Sequence, residues 1–595
     1  MDNSNFTSIQ KTKSSLTRKE FLWSLTGLVG SFALTRLLAA CSGKHGVDYE
    51  DIIRPDGGPF ISLADYELVD RSSAAYVRFK SWVDNAVAGS AGYGYSAGDS
   101  LIMYHLSGDL KYLTHAIEMV DKHVATAEKA IGDKKRPPIT DDSYLEVGPY
   151  IEDLALVYDY GFEHLTKAQR SRWSAYAEQA VWNIWNYNDA EWGGRSFPWS
   201  GWSVNNPGNN YHYSFLKATM NWALSSQNEE WKSFLKTEKF PPLVDYYKKL
   251  PGGGSREGTG YGTALQNLFE NYRIWKASTD EDLANMNTHS RNSIDYWIHA
   301  TVPTLDKFAP FGDQSRSSQP DLFDYHEHIM RELVILHRGT PEARRGAWWI
   351  ENNSVNKMSQ GFMSRYDLLD IYDEPSVPTD LIYYAEGVGH FFARNSWATD
   401  ALWMAFAAGP YEESHAHQDQ GSFTLYKGDW LAVTQNIWSH SGIHQETDIQ
   451  NIIRFVRNGT TIEQTPTSSV RSTMVYSVQN GSVTVNADLS NAYSRDRSDV
   501  QSWKRDLIFE NNLLRVHDNV TTGAGVQAIW QIQVPVNPIV QNDGKIVAGN
   551  LTIEPVIPSK PNVKIVAMTG DYSKGYRIEL SSTVGNEFTV NLMSK

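Results

Sequence analysis

The chain has 595 residues, more than one hydrophobic core organises, so two large domains are expected. With 41% hydrophobic and 21% charged residues its composition is that of an ordinary globular protein. A net charge of −15 sets aside a nucleic-acid binder, which would carry a basic excess, and the one cysteine excludes an intrachain disulfide.

The first segment reads as an export address. Lys11, Lys13, Arg18 and Lys19 form a positive head, Phe21 to Leu34 an apolar core, and Leu38-Ala39-Ala40-Cys41 a small-residue cleavage point. Leu-Ala-Ala-Cys resembles a bacterial lipobox, which makes Cys41 the lipidated first residue of an exported protein anchored at the cell envelope, on the outer membrane or the periplasmic face. Thr17-Arg18-Lys19-Glu20-Phe21-Leu22 resembles a twin-arginine signal with Lys in place of the second Arg, which leaves the export route open. The alternative, an uncleaved membrane anchor, meets an apolar run that is short for a spanning helix.

From about Ile61 to Tyr372 the apolar period is helical. Ile151, Leu154, Ala155 and Tyr158 lie at i, i+3, i+4, i+7, as do Phe215, Ala218, Thr219 and Trp222, and Leu265, Leu268, Phe269 and Tyr272. Many medium helices with turns such as Pro251-Gly252-Gly253-Gly254 between them suggest helical hairpins in a ring. Asp373 to Pro378 reads as a linker. Beyond it the period becomes two: Val483, Val485, Ala487 and Leu489 alternate with polar residues, and so do Trp530, Ile532 and Val534 with Gln531 and Gln533. Asn480-Gly481 and Asp543-Gly544 predict hairpin turns. The expected architecture is therefore α+β and multidomain: a leader over 1–41, a helical domain over 42–378, and a domain of stacked antiparallel sheets over 379–595.

Three segments carry candidate chemistry. Asn205-Asn206-Pro207-Gly208-Asn209-Asn210-Tyr211-His212 precedes a helical stripe; its amides and imidazole suit an anionic group, although helix capping accounts equally for the Asn residues. Gly252 to Gly262 brings Arg256, Glu257 and Tyr261 into a flexible run. No strand precedes it, so a dinucleotide site is rejected. Ser414-His415-Ala416-His417-Gln418-Asp419, read as a strand, puts His415, His417 and Asp419 on one face, able to bind a metal or hold a base. The 20 Trp and 31 Tyr suit a sugar-binding cleft, with core packing the alternative for any one of them.

His415-Ala416-His417-Gln418-Asp419-Gln420-Gly421-Ser422-Phe423 and the Leu425 to Gly428 strand after it resemble the heparinase II/III-like polysaccharide lyases. The Asn-rich and Gly-rich segments and Pro310-Phe311-Gly312-Asp313 stand upstream in the order of that family. The resemblance covers most of the mature chain and implies an incomplete α/α toroid followed by an antiparallel β-sandwich. It implies cleavage of a uronic-acid-containing polysaccharide by β-elimination, with alginate favoured because the acidic balance argues against a highly sulfated chain. Asn210 and His212 would hold the sugar carboxylate, Tyr261 would be the acid and also a candidate base, and His415 would position the carboxylate or act as base. Asn206, Arg256, Glu257 and Arg316 would contact substrate, with Arg454 a further candidate cation. Family members often bind zinc through the second His of His-x-His; here Gln450 stands where a later His is expected, and the next strand, Trp430 to Gln435, has no Asp at the expected place. His440 and His444 are the available substitutes, and no cofactor is required by the reaction.

Two rivals remain at this stage. A glycoside hydrolase on a helical toroid needs two opposed carboxyl groups, for which Glu257 and Asp313 are candidates. A non-catalytic, surface-exposed glycan-binding lipoprotein needs none. Oligomeric state and endo or exo action are not legible.

Overall fold

The computed structural model describes residues 59–314, 317–355, 364–370, 372–466, 471–493, 497–583 and 585–595. Cys41, the leader and Arg316 lie outside the described residues. Contacts divide the chain into two units, 1–243 with 270–281, and 244–269 with 282–595. No described helix is long and apolar enough to cross a membrane.

The first unit is helical. Its core pairs the helix Val147–Tyr160 with Asn210–Ser225. The predicted stripes are buried, but the second helix is buried beyond its stripe, from His212 to Ser225. A helix enclosed on all sides must satisfy its polar groups internally. Accordingly Ser214 Oγ accepts from Gly148 N at 2.8 Å and donates to Leu145 O at 2.5 Å. Lys217 is ion-paired with Glu270 and lies 3.5 Å from Glu152. The helix Lys167–Trp185 begins at a capping box, Thr166 with Gln169, as its Thr-x-x-Gln sequence dictates.

The second unit starts with helices His289–Ala300, Asp324–Leu336 and Pro341–Asn352 and continues in antiparallel strands from Ile382. The strands Ile382–Ala385, His390–Arg394, Trp403–Ala407, Phe423–Lys427 and Asp429–Ala432 pair in chain order as a five-stranded sheet. An eight-stranded sheet and a second five-stranded sheet complete the unit. Phe391, Phe406, Leu425, Phe455, Trp503 and Ile532, drawn from all three, share one apolar core. The order of helices then antiparallel strands agrees with the two periods in the sequence. Asn480-Gly481, with φ of 52° and 81°, joins Thr473–Gln479 to Ser482–Asp488. Asp543-Gly544 likewise turns Ile539–Val540 onto Ile546–Ala548.

One strand departs from expectation. Val526–Val534 is buried on both faces, Gln531 and Gln533 included. Their amides replace water with backbone carbonyls: Gln531 Nε2 donates to Thr447 O and Gln450 O, both at 2.9 Å, and Gln533 Nε2 to Asp448 O at 3.0 Å. The strand thereby fastens the loop that runs from 447 to 451.

Arg505 performs a similar task at greater electrostatic cost. Facing Asp518 across paired strands, it forms a two-pronged ion pair at 2.8 Å in which both side chains are inaccessible to solvent. Its Nη1 also donates to Gly421 O at 2.5 Å and Asn451 O at 2.9 Å. R505M should cost about 3–5 kcal/mol in denaturant unfolding because it strands the Asp518 carboxylate, and R505M/D518M should recover most of that loss. Equal stability of the single and double variants would contradict this account.

Candidate active site

Within the second unit, segments distant in sequence lie side by side. Thr259 N donates to Phe311 O at 2.8 Å, Tyr261 N to Asp313 O at 3.3 Å, and Asp313 N to His415 O at 2.9 Å. This irregular ribbon of 259–261, 311–313 and 415 explains the glycines. A Cβ on Gly258 would stand 2.1 Å from Phe311 O, and one on Gly260 would stand 2.0 Å from Asp313 O. Only residues without a side chain allow the backbones to approach that closely.

The ribbon collects Tyr261, Asp313 and His415. The Tyr261 ring lies flat on the His415 imidazole, with centroids 3.6 Å apart and planes 8° from parallel. His415 Nδ1 is 3.0 Å from Asp313 Oδ2, and His417 Nε2 is 2.8 Å from Asp313 Oδ1. Gln445 Nε2 adds a third donor to Oδ2 at 3.1 Å. Burial by itself would raise the Asp313 pKa, but the hydrogen bonds from His415, His417 and Gln445 outweigh it and hold the pKa below 3.8. An ionised Asp313 accepts only, so the network assigns the proton to Nδ1 of His415 and to Nε2 of His417. Nε2 of a neutral His415 is then left as an acceptor.

The sequence reading of residues 414–420 as a strand is corrected by the structure. They form turns, and the strand begins at Phe423. His415 and His417 converge because both reach Asp313, not because of alternation. Asp419 instead lines a polar cavity with Arg256, Phe311, His390 and His417, and burial raises its pKa to about 6.

The remaining candidates divide. Glu257 is fully buried, and burial followed by nearby Glu413 pushes its pKa well up. Its carboxyl group is thus enclosed, with no solvent-exposed surface. Arg256 lines the cavity, is ion-paired with Glu412, and lies over the Tyr246 ring at 5.8 Å. Arg454 belongs to the sheet, bonded to Gln531 at 2.9 Å and Glu579 at 2.6 Å.

His417 has both ring nitrogens engaged, since Gln450 Nε2 faces its Nδ1 at 3.4 Å. Gln450 offers an amide N–H where a zinc site needs an imidazole lone pair, and His444 turns instead to Asp571 at 3.1 Å. His440 joins the chain there through a backbone bond to Asp571 O. The residues around His417 do not fit zinc.

The first unit holds the Asn-rich segment. Asn206 Oδ1 accepts from Gly208 N at 3.2 Å, and Asn209 caps the helix by accepting from Tyr211 N at 3.1 Å. Asn210, the first helical residue, is partly exposed. His212 is 2% exposed and neither of its ring nitrogens makes a hydrogen bond. Burial, then the Lys239 charge, lowers its pKa to about 3, only slightly opposed by the carbonyls of Ser203 and Val204, so it is neutral at ordinary pH. Two residues escaped the sequence reading. Gln445 clamps Asp313, Ser414 O at 2.9 Å and the Tyr411 hydroxyl at 2.8 Å. Lys239 sits near His212. Gln445 lies in no motif, and Lys239 had only its flanking Pro241-Pro242 as a signal.

No family model matches the chain, and no curated protein matches it in sequence. Solved structures do. Heparan sulfate lyase HepC from Pedobacter heparinus is 14% identical with a TM-score of 0.54, over 94% of this chain and 88% of that one. Heparinase III is 14% identical with a TM-score of 0.56, over 98% and 88%. The Streptomyces coelicolor A3 chondroitin AC lyase is 11% identical with a TM-score of 0.52, over 88% and 80%. At these identities the likeness establishes the shared fold.

Asp313→Asn should release His415 from its Nδ1–H tautomer, read by long-range 1H–15N NMR of the imidazoles; an unchanged tautomer would refute the role given to Asp313. The folded pKa of Asp313 is lowered, so its contribution to stability is complete above the ordinary carboxylate value and lost as pH falls through the folded one. The stability gap between the wild type and D313N should accordingly close in acid.

Proposed function

We propose that a protein with this fold and this Tyr261–His415–Asp313 arrangement is a carbon–oxygen lyase that cleaves a uronic-acid-containing polysaccharide by β-elimination, with alginate the favoured substrate. The observation that carries the reading is the phenol stacked on an imidazole whose orientation a buried carboxylate sets. The likeness of the whole chain to solved lyases of acidic polysaccharides supports it.

β-Elimination at a uronate makes three demands. The carboxylate must be neutralised so that the C5 proton becomes acidic, a base must take that proton, and an acid must protonate the departing O4. In the second unit, Tyr261 is the proposed acid, and Tyr261 or His415 Nε2 the proposed base. Asp313 keeps His415 in the tautomer that leaves Nε2 able to accept a proton. In the first unit, Asn210 and His212 are the proposed carboxylate holders, and Asn206 builds the turn that leads to them. Arg256, and Arg316 outside the described residues, are proposed to contact substrate. No step requires a metal.

The hydrolase alternative lacks its second carboxyl group. Asp313 is committed to His415, His417 and Gln445, and Glu257 is fully buried. Export and lipid anchoring at Cys41 remain part of the proposal on sequence grounds.

A panel of uronate polymers, assayed for the ultraviolet absorbance of 4,5-unsaturated products, tests the reading. Alginate should yield such products, and Tyr261→Phe should slow their release by about 10²–10⁴-fold, the usual worth of positioned acid–base catalysis, while polymer binding persists. Saturated products, or full activity in Y261F, would end the assignment.

A further inference from the structure

We propose that Lys239 is a substrate-binding residue of the first unit, forming with His212 a pocket for the carboxylate of a sugar acid. The inference rests on the uronate reading above and adds a cation beside His212, which is itself neutral.

The local sequence puts Lys239 there. Pro241 and Pro242 have no backbone N–H, so the helical ladder ahead of them loses donors. The chain responds with a π-turn over Leu235–Lys239, in which Phe240 N–H reaches back to Leu235 O. Such turns are frequent at functional sites.

The Lys239 ammonium lies over the face of Trp185 at 4.1 Å and over Phe234 at 5.3 Å, and donates to Asn205 Oδ1 at 3.3 Å. Trp185 is fixed from behind by its Nε1–H bond to Thr219 Oγ1 at 3.0 Å. The same indole meets the His212 ring edge-on, with centroids 6.1 Å apart. One aromatic wall thus carries a cation and an imidazole.

Two observations point to a ligand. His212 is almost completely buried, and the only backbone groups acting on its ring nitrogens, the carbonyls of Ser203 and Val204, stop short of well-formed hydrogen bonds, a condition that a further acceptor in the site would relieve. Lys239 has no ion pair with any described residue. Glu238, its chain neighbour, and His212 are the titratable groups that act on it, and burial lowers its pKa to about 8. A cation held by aromatic faces and an amide oxygen keeps its charge for an incoming anion. A carboxylate suits the set: it only accepts, and it can take the ammonium and an imidazole N–H together.

The test uses the full chain carrying Tyr261→Phe to prevent turnover, titrated by calorimetry with an alginate tetramer and with the same tetramer after reduction of its carboxyl groups to alcohols. Adding Lys239→Met should weaken binding of the acidic tetramer by about tenfold or more, the usual worth of a charge-assisted contact, and leave any binding of the reduced one unchanged. Lys239→Arg should restore much of the loss. Equal affinity of K239M and its parent for the acidic tetramer, or equal loss for both tetramers, overturns the proposal. Product absorbance from the otherwise unaltered chain separates the two readings. Unsaturated product with no effect of K239M refutes the Lys239 site alone. An effect of K239M without product from any polymer refutes the lyase alone. Absence of acidic-tetramer binding together with absence of product refutes both.

Discussion

Much of the candidate site depends on one buried carboxylate. Asp313 is placed where burial alone would favour its protonated form, yet His415, His417 and Gln445 turn it into a committed acceptor. Two imidazole tautomers follow from that single charge. The planarity of the Tyr261–His415 stack follows as well, because an imidazole hydrogen-bonded through Nδ1 and tethered through its own backbone has little freedom to rotate. An asparagine of the same shape would offer one acceptor and one donor, and could not satisfy two imidazole N–H groups together.

The segments bearing these groups are loops, and loops do not position side chains unaided. Here the rigidity is lent by the β-sheets. Arg505 reaches from a buried strand to Gly421 O, Gln531 and Gln533 hold the chain around 447–451, and Gln450 passes that order to His417. Buried polar side chains in a sheet are expensive unless every group finds a partner. In this unit the partners are backbone carbonyls of the functional loops. The same bonds therefore satisfy the strand and fix the site.

The sequence revealed the helical and strand regions because apolar period depends only on local geometry, as Val483 to Leu489 and Ile151 to Tyr158 illustrate. It also marked Tyr261 and His415, since Gly-rich and His-x-His segments are unusual in any fold, whereas Asp313 entered only through Pro310-Phe311-Gly312-Asp313 and as a carboxyl group of the hydrolase alternative. What it could not reveal was how they meet. Alternation along a strand was the available explanation for His415 and His417, whereas a carboxylate 102 residues from His415 in sequence supplies the real one. Nor did it reveal that Gln531 and Gln533 are buried, because an amide bonded to carbonyls and an amide in water look alike in one dimension. Nor did it reveal that Glu257, a carboxyl group in a promising segment, is enclosed by the fold.

Charge pairing bears on which polymer such a site can accept. Several cations are already neutralised inside the protein: Arg256 by Glu412, Arg454 by Glu579, Lys217 by Glu270, and Arg331 by Glu327 and Asp370. Against a net charge of −15, a densely sulfated chain would be repelled at long range. A polymer bearing one carboxylate per ring makes a smaller demand. At the reacting unit it needs a single local positive charge, close enough that a screening length of about 8 Å in physiological salt does not erase it. Lys239 is supported by an indole rather than by a carboxylate. The acidity of the whole molecule and the proposed cation beside His212 are both compatible with the lightly charged uronate proposed above.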